Sequence, residues 1–373
     1  ADSVQQRRPN VVLIMMESMS AEFMKHFGQS ETLTPFLDSL YTRSISFRNF
    51  YSAGIHTNHG LYATLYSFPA MMKRNLMKGS VIPRYSGLPT VLKENGYYNL
   101  FFMTHEGQYD NMNAFFRTNG YDEVFSQEDY PADKVVNSFG VQDDFLYDYA
   151  IPVLNQRAAT GQPFFATLLS ISNHPPYVIP PFFHPKTSEP EMQIVEYADW
   201  ALRQFFEEAR KQPWFDNTIF VLEGDHGKLV GDAECELPES YNHIPLMIYS
   251  SRIHPEEKNT FGGQVDIQPT ILGLLNIDYL QNNFGVDLLK EERPCMFYTA
   301  DNMVVGRNDT LLYLYNYETQ QELTYDIGNG KLNAVPMDDS FLPLKEYSFS
   351  MLQSAEFLVK HGKTLNSIPF TQQ

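Results

Sequence analysis

Cysteine is nearly absent from this chain: Cys235 and Cys295 are the only two among 373 residues. Two cysteines exclude a disulfide framework, and their surroundings lack any zinc-ribbon spacing. One disulfide and two free thiols both remain open. Positive charge is scarce as well. Lys and Arg total 27 against 45 Asp and Glu, a formal net charge of −18, which excludes a nucleic-acid backbone as a natural partner. An anionic substrate has to find local help, from a metal or from a few Arg and Lys. No stretch approaches the roughly 18 consecutive apolar residues of a membrane helix. No signal-peptide pattern opens the chain, and no repeat or low-complexity tract interrupts it.

What is present is an ordinary globular composition, 43% hydrophobic and 19% charged. The length suits one large α/β domain, alone or with a small companion. The first apolar strand begins almost at once, at Asn10-Val11. So abrupt a start is expected of a mature or excised piece whose targeting information lay upstream.

The continuous apolar run Val11–Met16 reads as a strand buried on both faces, Phe164–Ile171 is again largely apolar, and Ile45–Tyr51, Tyr98–Met103, Ile219–Leu222 and Pro245–Tyr249 read as further strands. Helical signals lie between them. Thr34-Pro35 caps a short helix, Thr57 to Leu65 starts another, Pro89 to Gly96 ends on Asn-Gly, and Ile194–Lys211 is amphipathic. Alternation of this kind predicts an α/β fold, a mainly parallel central sheet with helices on both faces. After about Leu275 the pattern changes. Met296–Tyr298, Met303–Arg307, Leu311–Tyr315 and Glu322–Tyr325 predict a small C-terminal antiparallel sheet, followed by a helix near Tyr347–Lys360. The expected division is a catalytic domain over 9–275 and a small α+β subdomain over 276–373. Pro175–Pro190 is a long ordered loop of the kind that often carries function.

The most informative run is Phe220-Val221-Leu222-Glu223-Gly224-Asp225-His226-Gly227. In an α/β sheet, ligands and metals gather at the carboxyl ends of strands, and a carboxylate beside an imidazole is the start of a divalent metal site. Glu17 closes the first apolar strand and shares that edge if the strands run parallel; its plainer reading is a helix-capping acid. Thr57, in His56-Thr57-Asn58-His59-Gly60, stands where a helix N-terminus offers free N–H groups. A metal on its oxygen would make the hydroxyl a nucleophile; a plain N-cap is the other reading. His174, after the strand ending near Ile171, suits proton donation to a leaving oxygen or anion binding. His105 and His243 lie on further candidate loops, and Arg117 suits a bidentate phosphate clamp. Each of these residues also has an ordinary loop or surface reading.

Taken in order, Asn10-Val11-Val12-Leu13-Ile14-Met15-Met16-Glu17-Ser18, Leu33-Thr34-Pro35-Phe36-Leu37, Phe47-Arg48-Asn49-Phe50-Tyr51, His56-Thr57, Ser172-Asn173-His174-Pro175-Pro176-Tyr177, Gly224-Asp225-His226-Gly227 and Val265-Asp266-Ile267-Gln268-Pro269-Thr270 carry a resemblance. The set resembles the alkaline phosphatase and sulfatase superfamily. Within it the chain looks most like the extracytoplasmic catalytic domain of lipoteichoic acid synthases and related phosphoglycerol transferases, from Pro9 to near Leu275. The resemblance implies that Glu17, Thr57, Asp225 and His226 bind one divalent metal, commonly manganese. The ligand types also suit magnesium or zinc. It implies that Thr57 attacks a phosphodiester and forms a phospho-enzyme, and that His174 and Arg117 bind the phosphoglycerol group. Arg117 follows Phe115-Phe116, where the family more often has Trp two residues before the Arg.

Sulfatases of the superfamily carry a modifiable Cys or Ser in a Cys/Ser-x-Pro-x-Arg motif. Thr57-Asn58-His59-Gly60 departs from it, which disfavours sulfate-ester hydrolysis. The implied donor is a phospholipid head group and the implied acceptor a glycan or glycerol polymer. The implied location is outside the cytoplasmic membrane, in the cell envelope, held by a membrane segment upstream. The alternatives are a phosphoethanolamine transferase, phosphodiesterase or sulfatase of the same superfamily, or a non-catalytic glycan- or lipid-binding domain.

Overall fold

A computed structural model describes residues 8–366. In chain order the elements are β1 (Asn10–Met16), α1 (Pro35–Tyr41), β2 (Ile45–Tyr51), α2 (Thr57–Tyr66), α3 (Leu88–Glu94), β3 (Tyr98–Phe102), α4 (Met112–Thr118), β4 (Glu123–Phe125), α5 (Asp143–Ala159) and β5 (Phe164–Leu169). There follow α6 (Pro190–Ala209), β6 (Thr218–Gly224), β7 (Leu246–Tyr249), β8 (Glu256–Gly263) and α7 (Ile267–Leu274). The last part holds β9 (Met296–Thr299), β10 (Met303–Arg307), β11 (Leu311–Asn316), β12 (Gln321–Asp326), β13 (Asn333–Ala334) and α8 (Leu342–Lys360).

Eight strands form the main sheet in the order β4-β3-β5-β1-β6-β7-β2-β8. Only β7 runs against its neighbours β6 and β2; the other pairings are parallel. This is the expected mainly parallel sheet. β1 sits at its centre, every residue buried, and its side chains divide by parity as a strand's must. Val11, Leu13 and Met15 join the core beneath α2 and α3, while Val12, Ile14 and Met16 join the core beneath α1, α5 and α6. β6 repeats the rule: Ile219 and Val221 face one way, Phe220 and Leu222 the other. Two helical layers on a continuously apolar sheet account for most of the buried interior.

The second sheet, β13-β12-β11-β10-β9, is antiparallel throughout, and Phe341, just before α8, packs with Leu344 of α8 against Tyr313. The two sheets meet in an aromatic seam in which Tyr51 stacks on Tyr298, centroids 5.4 Å apart and planes 5° apart. Cys235 and Cys295 are both free thiols. No helix among the described residues is long and apolar enough to cross a membrane.

One cap differs from the sequence reading. Thr34 makes no cap to α1; its hydroxyl donates instead to Asp38 (3.0 Å). Asp199, buried on α6, accepts the Phe36 and Leu37 N–H groups, each at 2.9 Å. Burial pushes that carboxyl up to about 7, against the pull of the two N–H groups.

Candidate active site

Parallel strands deliver their carboxyl ends to one edge, and the proposed ligands meet there. Glu17 follows β1, Asp225 and His226 follow the adjacent β6, and their register pairs Met16 with Gly224. One ligand atom from each of Glu17, Asp225 and His226 lies within 4.8 Å of the others. Thr57 is the first residue of α2, and its hydroxyl reaches Glu17 Oε2 at 3.3 Å. The four residues singled out in the sequence therefore converge. The first turn of α2 carries no acidic residue, so the positive end of the helix faces the carboxylates.

Each group is held from behind. The Glu17 N–H donates to Ser170 Oγ (2.9 Å), and Ser18 Oγ donates to Glu17 Oε1 (2.7 Å). Asp225 Oδ1 accepts from the Ser18 N–H (2.8 Å) and the His226 N–H (2.7 Å). Its other oxygen, Oδ2, is buried with no partner. His226 Nδ1–H donates to the Gly227 carbonyl (2.7 Å), which leaves Nε2 facing the site, 3.7 Å from both Glu17 Oε1 and Asp225 Oδ2. Fixing the ligating tautomer through the other ring nitrogen is the usual arrangement around metal-bound imidazole.

The electrostatics agree with a site built for a cation. Burial and then the Asp225 charge push Glu17 up to about 7, against the pull of His226. Burial disfavours the His226 imidazolium, but Asp225 and Glu17 outweigh it and raise its pKa. Two buried carboxylates, one with an orphaned oxygen, together with an imidazole nitrogen and a hydroxyl, fit a hard or borderline divalent ion.

Around this cluster stand the other candidates. His174 donates from Nδ1 to the Pro175 carbonyl (2.7 Å), and its ring packs on Phe139 at 4.0 Å. Its loop is anchored by Asp143 Oδ1, which accepts from Ile171 N (2.8 Å) and Ser172 N (3.0 Å), and by Asn173 Nδ2, which donates to the Glu17 and Ser18 carbonyls, each at 3.2 Å. His105 is buried beside Tyr109, ring centroids 4.7 Å apart, and burial lowers its pKa against the field of Glu17.

Arg117 and His243 have their hydrogen-bond partners away from the cluster. The Arg117 guanidinium bonds Asn113 (2.8 Å) and the Val124 carbonyl (3.3 Å), over β4 at the far edge of the sheet. His243 spends both ring nitrogens elsewhere, on Glu22 (2.7 Å) and the Arg48 carbonyl (2.8 Å).

Several residues at the site gave no sequence signal. Lys228 Nζ donates to Asn173 Oδ1 (2.6 Å) and Tyr177 OH (3.0 Å), and burial brings its pKa down to about 8. Asp110 and Asn111 are consecutive left-handed residues (φ 50° and 63°). They hold the Asp110 carboxylate near Asn58 (3.5 Å), beside Thr57, and on Lys78 (2.8 Å); such strain is common at functional sites. Gln264 straps Ala53 N (2.9 Å) to the Gly224 and Asp225 carbonyls (3.1 and 2.8 Å). Only proximity to the Gly224–Gly227 run marks Lys228 in the sequence.

Comparison with known proteins follows this geometry. The sulfatase family profile matches residues 9–277. Lipoteichoic acid synthase 1 of Bacillus subtilis is 25% identical over 350 residues, covering 86% of this chain and 53% of that protein. Lipoteichoic acid synthase 2 of the same organism is 24% identical over 315 residues, covering 76% and 47%. The chain thus spans about half the length of these curated relatives. Among solved structures, an alkaline phosphatase superfamily protein from Vibrio parahaemolyticus superposes with a TM-score of 0.86 at 27% identity, covering 96% of this chain and 89% of that one. The lipoteichoic acid synthase LtaP from Listeria monocytogenes gives 0.81 at 21%, covering 95% and 93%. The metal-type cluster, the sheet that builds it and a profile covering most of the chain agree: this chain belongs to the sulfatase family of the alkaline phosphatase superfamily, and is an enzyme of that fold similar to the lipoteichoic acid synthases.

Proposed function

We propose that the chain transfers a phosphoglycerol-type group from a phospholipid to a glycan or glycerol-polymer hydroxyl through a phospho-threonine on Thr57. The observation that carries this reading is a hydroxyl at a helix N-terminus, 3.3 Å from a buried carboxylate, beside a cluster of two carboxylates and one imidazole. Glu17, Thr57, Asp225 and His226 would hold one divalent ion, manganese by family resemblance. That ion, when bound, supplies positive charge against the phosphate oxygens and lowers the pKa of the Thr57 hydroxyl.

The chain's own groups then divide the work. Thr57 Oγ1, as the alkoxide, forms a bond to phosphorus as the bond to the diacylglycerol oxygen breaks in line, and it leaves the second half-reaction as the alkoxide again. The uncompensated N-terminus of α2 stabilises charge on the transferred phosphoryl group. His174, its Nδ1–H spent on Pro175, presents Nε2 to carry a proton to the leaving oxygen. In the second half, the acceptor hydroxyl attacks phosphorus, its proton passes to the same nitrogen, and Thr57 is released. Lys228 is a charged group near Glu17 that favours an anionic head group. The site is proposed to work outside the cytoplasmic membrane, in the cell envelope, where such lipids and polymers meet.

Replacing Thr57 with alanine removes the nucleophile while leaving the packing of α2 intact. Turnover of phosphatidylglycerol should vanish, along with a phosphorylated Thr57 peptide by mass spectrometry, and the melting temperature should hold. Full activity in that variant sinks the mechanism. Transfer of phosphoethanolamine from phosphatidylethanolamine, with phosphatidylglycerol left unused, would point to the phosphoethanolamine reading. A purified protein that takes up no divalent ion would point to the non-catalytic one.

A further inference from the structure

The small antiparallel sheet reaches the catalytic edge through one buried cation. Arg307 on β10 is 8% exposed, and its guanidinium pairs with Glu239 Oε1. The Tyr51 hydroxyl donates to the same oxygen (2.9 Å), and the guanidinium lies over the Tyr51 and Phe261 rings, 5.1 and 5.7 Å from their centroids. The Arg307 side chain is 9% exposed and that of Glu239 36%, and enclosing the guanidinium costs desolvation that apolar packing would avoid. Cohesion between the sheets alone therefore does not account for it.

What Glu239 holds is the backing of the metal-type loop. It opens the turn Glu239–Tyr241, and its carbonyl accepts from Asn242 N (3.0 Å) and His243 N (2.8 Å). From that turn, the Tyr241 carbonyl accepts the Gly227 N–H (2.8 Å), and Ser240 Oγ accepts the Val230 N–H (3.0 Å). The Ser240 carbonyl accepts from Ser20 Oγ (2.8 Å), which in turn accepts the Lys228 N–H (2.8 Å). Residues 227–238 have no helix or strand of their own, so this turn is their scaffold. There is no slack in it: a Cβ on Gly227 would lie 1.9 Å from the Ser240 carbonyl oxygen. The Gly227 carbonyl, in turn, orients the His226 ring through Nδ1.

The geometry points to Arg307 as a positioning residue for the metal site, acting through Glu239 and the turn it opens on the Gly227 peptide and so on His226. This rests on the metal reading above. Groups that orient a ligating imidazole typically matter about 10–100-fold in metal affinity.

The test is manganese binding to the full chain by calorimetry, with far-UV circular dichroism as the check on folding. Arg307→Lys keeps the charge but loses the planar fork; Glu239→Gln keeps the shape and loses the charge, and carries the test should the first variant fold poorly. Both should bind manganese about 10-fold more weakly. Leu344→Ala loosens the packing of α8 on the same sheet without touching Arg307; it should lower the melting temperature and leave manganese affinity at the parental value. Parental affinity in Arg307→Lys and Glu239→Gln overturns the inference, as does an equal loss in Leu344→Ala. A parent chain that binds no divalent ion overturns the metal reading itself, and this inference with it.

Discussion

Replacing Gly60 with alanine drives a wedge between the helix that carries the proposed nucleophile, Thr57, and the loop that carries two of the proposed ligands. A Cβ at Gly60 would lie 2.1 Å from the Asp225 carbonyl oxygen, 3.0 Å from the carbonyl carbon and 2.9 Å from Gln264 Nε2. Carbon–oxygen contacts settle at about 3.3–3.6 Å, so helix and loop must part by roughly 1 Å. Nothing nearby can rotate aside. Two of the three obstacles are backbone, and Gln264 holds that backbone through the Gly224 and Asp225 carbonyls. Gly60 is one helical turn from Thr57, so the displacement reaches Oγ1, which lies only 3.3 Å from Glu17.

A misplacement of about 1 Å in reacting groups costs about 100-fold in rate, and overpacking a filled interior costs about 1–3 kcal/mol. The expected outcome on phosphatidylglycerol, or on a chromogenic phosphodiester, is a kcat lower by about 100-fold with KM little changed. A modest drop in melting temperature should accompany it. Parental kcat in a folded Gly60→Ala protein would refute the claim that the spacing between α2 and the Asp225 loop sets the chemistry.

Two further outcomes are expected. Removing divalent ions with EDTA should lower the melting temperature, and restoring manganese to about 100 times its Kd should return about 2.7 kcal/mol. An Asp225→Asn variant that responds to manganese as the parent does would contradict the ligand set. Stability should also fall in mildly alkaline solution. Burial disfavours the His243 imidazolium, but the Glu22 carboxylate beside it prevails and raises the pKa to about 9, whereas free histidine titrates near 6.5. The folded state therefore holds the proton more tightly than the unfolded one. The stabilisation, on the order of 3 kcal/mol, is complete below about pH 6.5 and is lost as pH rises through about 9. His243→Gln should flatten the decline of the urea-unfolding free energy over that window, and an unaltered slope would count against the pair.

The strands that build the site were legible because they are buried on both faces, which leaves unbroken apolar runs in the sequence. β1 and β5 are such runs, and the chemistry sits just past the ends of β1 and β6. The antiparallel sheet was legible from short alternating strands and turns. β8 was missed, since its first half, Glu256-Glu257-Lys258-Asn259, lies at a sheet edge and reads as a solvated loop. Helix α5 was missed as well; its apolar positions are interrupted by acids, and Pro152 sits inside it on an exposed position. Helix α6 begins at Pro190, ahead of the expected Ile194, because a proline at the first position is a good start for a helix.

At the candidate site, the sequence pointed to groups at strand ends, which the fold brings together, and carried no sign of those placed by tertiary packing. Arg117 and His243 carry suitable chemistry but face other partners. Lys228 and Gln264 matter through neighbours distant in sequence, which no local pattern encodes.

The reversed strand β7 has a consequence for how the enzyme comes into being. β2, which leads into Thr57, finds its ladder partners only in β7 and β8, and those strands lie some two hundred residues later in the chain. Glu17 and Thr57 are near one another in sequence, yet the strand that leads into Thr57 takes its place in the sheet beside residues 246–263. During synthesis β2 is therefore expected to stay without its ladder partners until most of the chain has emerged. Closing so long a loop is slow relative to local folding. A chain truncated before Leu246 is expected to carry the early motifs without transferase activity, and measurable transfer by such a chain would count against this order of assembly.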